Sequence, residues 1–257
     1  MPLYNLKDKL KPILFDPFKL EQEIQTLTEE NLDLIFGLEF VKSEFSLNNF
    51  RIDTLAYDRE NKTFVIIEYK RGENFSVIDQ GYSYLALMLD NKAEFILEYN
   101  GLTNQNLKRS DVDWSQSRIL FVAPQFTTYQ KAAIQFKDLP IDLWEIKGFE
   151  NNLVSYEHIK PAKTNESIKT FSSKDNALSS VSKEVIVYTE EDHLRSAEPY
   201  IVELYEKLKD LILNLSEIEL KPRKDYIAFI LNSNFLFHKR RARKSDKCYG
   251  RVKYAVR

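Results

Sequence analysis

The chain has 257 residues, 43% of them hydrophobic and 30% charged, with a net charge of −2, three histidines, one cysteine and six glycines. This is the composition of a globular chain long enough to close a core without disulfides or structural metal. His158, His193, His238 and Cys248 are too scattered for a zinc site or a redox pair, and no phosphate loop runs through Gly37, Gly72, Gly81, Gly101, Gly148 and Gly250, so any metal must rest on oxygen ligands.

The opening stretch MPLYNLKDKLKPILF has no uninterrupted apolar run or cleavage-site pattern. No stretch approaches the roughly 18 apolar residues of a membrane span. With a lone thiol, a cytoplasmic chain without a membrane partner is expected. The small net charge hides an asymmetry. From Lys221 onward twelve Lys or Arg stand against Asp225 and Asp246, a balance of +10 that leaves −12 for the residues before it. Such a basic end either meets nucleic acid or is a solvated tail.

In chain order, the pattern predicts a helix over residues 18–36, a strand pair over 50–70 and a helix over 76–89. A strand over 118–123, a helix over 127–136 and a strand over 141–146 follow, with Tyr129 and Trp144 expected in core or partly buried packing. Residues 161–184, rich in Ser, Lys, Asn and Thr without apolar period, read as a linker. Ile201, Leu204, Leu208, Leu211, Ile212 and Leu215 form the stripe of a core-facing helix over 199–215. The expected organisation is a domain over 1–160, the linker, and a small domain over 185–257 ending in the basic segment.

The strand pair carries the chemistry. If its turn lies at Glu60 and Asn61, pairing partners sum to 121 and Asp53 falls opposite Glu68. Side chains alternate along a strand, so Lys70 shares the face of Glu68. Two carboxylates facing each other across strands repel, and something positive belongs between them. Lys70 could neutralise them alone. A hard cation does so better, because Mg²⁺ takes one or two carboxylates together with water and phosphate oxygens. On the following helix, capped by Ser76, Gln80 and Tyr84 share a face and Gly81 permits close approach to the sheet. Glu145-Ile146-Lys147 and Glu219-Leu220-Lys221 have the same Glu-x-Lys spacing without comparable surroundings. The conjunction separates Glu68-Tyr69-Lys70 from them.

At these residues the sequence resembles the PD-(D/E)XK nuclease superfamily, in a form similar to RecB-type and archaeal single-strand-specific nucleases. Arg51-Ile52-Asp53, Glu68-Tyr69-Lys70 and the pair Gln80 and Tyr84 carry the likeness, which covers roughly residues 15–160. It implies an α/β, restriction-endonuclease-like fold, a central mixed sheet flanked by helices. In that family the strand Asp and the Glu of Glu-x-Lys bind Mg²⁺ (or Mn²⁺), the Lys activates or positions water and the Gln helps place the nucleic acid. These roles map onto Asp53, Glu68, Lys70 and Gln80, with Tyr84 following. The branch also carries a glutamate on its first helix. Glu21, in line with Gln25 and Glu29 and followed by Ile24, is preferred to Glu23. Arg51 and Arg71 flank the centre as candidate phosphate ligands.

The segment from about Val185 looks like a small α+β domain of unknown function that accompanies such nucleases in so-called predicted transport proteins; Tyr188 to Leu194 and Lys224 to Phe229 carry the likeness. Where that family continues in apolar strands, this chain turns into His238-Lys239-Arg240-Arg241, and an incomplete or altered domain end is expected. The leading expectation is a Mg²⁺-dependent nuclease acting on nucleic acid, DNA ahead of RNA, in defence, restriction or repair, with a homodimer among its assemblies. The alternatives are a binding module of the same fold without cleavage, and a metal-free structural protein.

Overall fold

The run Thr63–Tyr69 is buried at every position, as a strand covered on both faces must be, and the larger part of the chain is built around it. The computed structural model describes residues 3–6, 10–72, 75–136, 139–160, 176–215, 218–231, 233–239 and 251–254. The chain divides into two units, Met1–Ile186 and Val187–Arg257.

In the first unit a short hairpin of β1 (Leu3–Asn5) and β2 (Lys11–Ile13) precedes α1 (Glu21–Glu29), α2 (Leu32–Phe36), β3 (Glu39–Leu47), β4 (Phe50–Asp58) and β5 (Thr63–Tyr69). Next come α3 (Val77–Asp90), α4 (Lys92–Thr103), β6 (Arg118–Ala123), α5 (Thr128–Ala133), β7 (Ile141–Phe149), β8 (Leu153–Ile159) and α6 (Asn176–Glu184). Strands β3 to β8 lie in sequence order in one six-stranded sheet. β5, β6 and β7 run parallel and the other neighbours antiparallel. One face packs Leu55, Phe64, Ile66, Phe121 and Leu143 against Leu85, Met88, Phe95 and Tyr99 of α3 and α4. The other packs Val65, Ile67, Tyr69 and Val122 against Ile24 and Leu32 of α1 and α2. The fold is the mixed α/β sheet flanked by helices that was expected.

Several boundaries differ from the sequence reading. The single helix over 18–36 is two. Glu23 Oε2 accepts from Lys19 N and Leu20 N (2.7 and 3.2 Å), fixing the start of α1. Thr28 Oγ1 and Asn31 Nδ2 donate to the carbonyls of Ile24 and Leu27, which accompanies the stop after Glu29. β3 and α4 were not anticipated. In β3 a register shift between Phe40 and Lys42 and a left-handed Glu44 (φ +54°) disturb the alternation that marks a strand. The last part of the expected linker is α6, which packs on α3 with Val181 and Val185 in the core, a four-residue spacing that the Ser-rich composition masked. Residues 161–175 lie outside the described residues. Trp144 packs on Phe36 and His158, but Tyr129 is 90% exposed, because α5 turns Gln130 inward instead.

The second unit holds α7 (Glu190–Leu194), α8 (Pro199–Leu213) and a four-stranded antiparallel sheet of β9 (Glu219–Pro222), β10 (Tyr226–Leu231), β11 (Ser233–Lys239) and β12 (Arg251–Tyr254), ordered β12-β11-β10-β9. Tyr205, Leu208 and Ile212 of α8 pack with Ile218, Leu220, Ile227 and Phe229, while Leu204, Leu211 and Leu215 of the expected stripe stay exposed. Of the basic end, residues 240–250 lie outside the described residues. Among the described residues no helix is long and apolar enough to cross a membrane.

Gly81 is where α3 lies closest to the sheet: a Cβ there would stand 2.6 Å from Ile141 Cδ1 and 3.3 Å from Ile119 Cγ2. Gly81→Leu is expected to lower stability by about 1–3 kcal/mol through overpacking, more than the roughly 1 kcal/mol gained in helix propensity. Urea unfolding checks this, and an unchanged midpoint would refute the close approach.

Candidate active site

β4 and β5 pair from Asp58↔Thr63 to Thr54↔Ile67, every pair summing to 121 as expected. Asp58 holds the turn by accepting from Asn61 N and Nδ2 (2.9 and 2.8 Å). One step beyond Thr54 the ladder is carried by a side chain: Asp53 Oδ2 accepts from Tyr69 N at 2.9 Å. This bond fixes the Asp53 carboxylate at the point where the two strands part.

Glu68 is 2% exposed. On its Oε1 converge Lys70 Nζ at 2.6 Å, Gln80 Nε2 at 2.8 Å and Tyr84 OH at 3.4 Å. The Tyr84 hydroxyl has one proton, and its shorter bond is to Arg51 O at 3.0 Å. Glu68 Oε2 is buried without any hydrogen-bond partner. Lys70 N donates to Val122 O (2.9 Å), so the lysine backbone is anchored to β6, and its ammonium lies 6.0 Å from the Phe75 ring centroid. The structure thus brings Asp53, Glu68, Lys70, Gln80 and Tyr84 together.

The electrostatics follow from that geometry. Burial, with the Asp53 carboxylate adding to it, pushes Glu68 up to about 7 against the pull of Lys70. Burial also raises Asp53, and Glu21 and Glu44 oppose its ionisation further. Burial pushes the Tyr84 phenol up to about 12, so it remains a donor. Glu145, in the Glu-x-Lys of β7, is the internal comparison. It too is buried, which alone would raise it, but Lys131 Nζ (2.7 Å) and Lys147 Nζ (3.1 Å) engage its two oxygens and hold it below the usual range. Two lysines and the Phe126 N–H complete Glu145. At Glu68 one oxygen is left over.

On α1, Glu21 Oε2 accepts from Arg71 N at 2.8 Å, whereas Glu23 caps its own helix. Of the two candidates, only Glu21 is bonded to the end of the β5 strand. Gln25 and Glu29 continue the stripe. Gln25 Nε2 lies 3.0 Å from Asp53 O, 3.1 Å from Ser43 Oγ and 3.3 Å from Glu44 Oε1, and Glu29 accepts from Thr54 Oγ1. Their alignment was visible in the sequence; what they grip was not. Glu44 carried no sequence signal, since its approach to Asp53 depends on its left-handed backbone. Arg51 is exposed and paired with Glu44 (2.8 Å), while the backbone N–H of Arg71 is engaged by Glu21. Among the described residues no group of three or more His, Cys, Asp or Glu is placed to hold a metal ion. The site therefore offers two carboxylates, which suits an ion that keeps water and substrate oxygens in its shell.

Comparison with known proteins gives likenesses of three kinds, to a curated protein, to a family and to solved structures. A protein of Haemophilus influenzae described as an uncharacterized protein is 51% identical over 229 residues, covering 89% of this chain and 76% of its own. Residues 190–248 match a family described as a domain of unknown function, DUF5655. Among solved structures, a repair endonuclease from Pyrococcus abyssi is similar over 46% of this chain and 44% of its own (19% identity, TM-score 0.27). An EndoMS–dsDNA complex is similar over 50% and 57% (15% identity, TM-score 0.29). This chain spans less than two thirds of either solved chain.

The raised Glu68 has a consequence for stability. Its folded value lies above its ordinary 4.5, so its contribution is whole below 4.5 and is lost as pH rises through about 7. In EDTA, Glu68→Gln is expected to melt at a higher temperature than the wild type above pH 7, with the gap closing as pH falls. Superimposable melting profiles across that window would show that Glu68 is not strained when ionised.

Proposed function

The chain belongs to the same family as the Haemophilus influenzae protein, and on that premise we propose that its first unit is a restriction-endonuclease-like, divalent-metal-dependent phosphodiesterase acting on nucleic acid, DNA ahead of RNA. The observation that carries this reading is the buried, unpartnered Glu68 Oε2 beside Asp53 and Lys70. An orphaned buried carboxylate oxygen costs on the order of 1–3 kcal/mol or more. A hard cation held by Glu68 and Asp53 would remove that cost and favour the ionised form of both acids.

Mg²⁺ or Mn²⁺ fits the donors present, and Glu68, through Oε2, and Asp53 would hold it. When bound, such an ion supplies charge for the phosphate and acidifies water. The side chains do the rest. Lys70 Nζ spends one of its three donors on Glu68 Oε1, leaving two to orient a water and a phosphate oxygen. Lys70 and Gln80 keep Glu68 Oε1 occupied, with Gln80 Nε2 also 3.4 Å from the Tyr84 hydroxyl, so that Oε2 is the oxygen presented. Glu21, through Arg71 N, fixes the end of the strand that carries Lys70. Arg51 and Arg71 are the cations at the rim, and Arg51 would leave Glu44 to meet a phosphate. The second reading, a binding module without cleavage, is favoured by the closure of Lys70 on Glu68, which already neutralises one carboxylate.

Labelled single- and double-stranded DNA and RNA, incubated with the full chain and Mg²⁺, Mn²⁺ or EDTA, separate the readings. Cutting is expected with metal only, and Asp53→Ala and Lys70→Ala should each lower the rate by about 100-fold or more. Cutting in EDTA, or a full rate in Asp53→Ala, would sink the mechanism. Metal-independent binding with no cutting would establish the second reading.

A further inference from the structure

Strand β3 brings a further carboxylate to the site by an irregular route. It pairs Ser43 with Thr54 and Phe45 with Ile52, which leaves Glu44 between them, across from Asp53. The register shift between Phe40 and Lys42 is responsible: had the pairing of Phe40 with Ala56 continued unshifted, Ser43 would stand there. Glu44 also adopts a left-handed backbone (φ +54°), which an L side chain disfavours. A bulge, a strained residue and an acid set against an acid are costs that meet at this position. Glu44 Oε2 stands 2.8 Å from Arg51 Nε, with the Glu44 side chain 43% and the Arg51 side chain 68% exposed. Its Oε1 is 3.3 Å from Gln25 Nε2, the longest of that amide's four polar contacts, so Arg51 is the principal partner of Glu44. The same two strands hold another acid–arginine pair at their far end. There Arg59 meets both oxygens of Glu39, through Nε (2.7 Å) and Nη2, and Tyr99 OH adds a bond at 3.0 Å. Glu39 is thereby completed, whereas Glu44 meets one arginine nitrogen at the rim of the site.

We propose that Glu44 is a specificity-determining residue: its carboxylate holds Arg51 in the place of a substrate phosphate, and a nucleic acid binds at this rim by displacing it. A guanidinium pairs with carboxylate and with phosphate through the same donors, so the two compete for Arg51. An exposed ion pair is weak. A polyanion can therefore break it, while a ligand that brings little charge is refused. The irregular backbone keeps the competitor in place, because the register and the left-handed turn fix Glu44 beside Arg51 whether or not the pair is made. The inference rests on reading the site as one that meets nucleic acid, but it needs neither metal nor cleavage.

The test is the anisotropy of labelled single- and double-stranded DNA titrated with the full chain in EDTA at several KCl concentrations. Glu44→Gln is expected to tighten binding by about two- to five-fold, the worth of an exposed ion pair. Arg51→Gln should weaken binding and lower the slope of log affinity against log salt by about 0.7 on the single strand and about 0.9 on the duplex. In the Arg51→Gln background most of the gain from Glu44→Gln should vanish. Glu39→Gln, which changes the net charge equally on the same strand, should leave the affinity unchanged. Melting curves accompany each variant, and Glu44→Gly, which suits the left-handed backbone, keeps the test open should Glu44→Gln fail to fold. Equal gains in Glu44→Gln and Glu39→Gln, or equal gains with and without Arg51, would overturn the proposal. So would DNA binding that no Glu44 variant alters; cutting with metal in that same protein would leave the proposed function standing, whereas a chain that neither binds nor cuts would overturn both.

Discussion

A buried carboxylate, Glu68, near the half-buried Asp53, with one cation that meets only one of its two oxygens, sets the terms for the first unit. Asp53 is fixed in place because its side chain takes over the hydrogen bond that the β4–β5 ladder would make next. Glu68 is fixed because Lys70, just after β5, and Gln80 of α3 donate to a single oxygen. Neither acid can turn away to relieve the repulsion. Burial makes each harder to ionise, and the environment that would normally cancel this penalty, as two lysines do at Glu145, is withheld. A fold that retains so costly a local arrangement is specialised at that point.

The rest of the unit is arranged to keep that point rigid. α3 approaches the sheet at Gly81, which sets Gln80 against Glu68. α1 grips the opposite side with one polar stripe: Glu21 on the backbone after β5, Gln25 on Asp53 O, Glu29 on Thr54. Thr54 in turn lies 3.2 Å from the buried Tyr69 hydroxyl. The left-handed Glu44, a conformation that costs an L residue on the order of 1 kcal/mol, brings a further carboxylate and its partner Arg51 to the rim. Polar contacts on both faces of the sheet therefore meet at the same two strands.

Much of this was legible before any coordinates, for a definite reason. A hairpin register is set by the turn and by period-two alternation, so the ladder that ends at Thr54↔Ile67, one step short of Asp53 and Glu68, could be read from residue numbers alone. The four-residue spacing of Gln80 and Tyr84, the Ser76 cap and the small Gly81 are equally local. What escaped were features that sequence pattern does not encode: the disturbed alternation of β3, the break between α1 and α2, and the Val181 and Val185 contacts that turn the end of a Ser-rich stretch into a packed helix. Tyr129 misled because aromatic character suggests burial, whereas position on a short surface helix decided it. The unequal completion of Glu68 and Glu145 depends on donors remote in sequence, such as Lys131, and no spacing rule anticipates it.

The hydrogen bonds of the site also bear on how the chain assembles. Tyr69 N and Asp53 are 16 residues apart, and Gln80 and Glu68 are 12 apart, while the bond from Arg71 N to Glu21 spans 50. Loop-closure entropy grows with separation, and local contacts form faster than distant ones. The strained carboxylates thus belong to the segment with the shortest closures, and the docking of α1 is the long-range step. A cation held between the hairpin acids would offset their repulsion in a rapidly formed segment. The ligand would then act on the rate at which the chain folds as well as on the stability of the finished sheet.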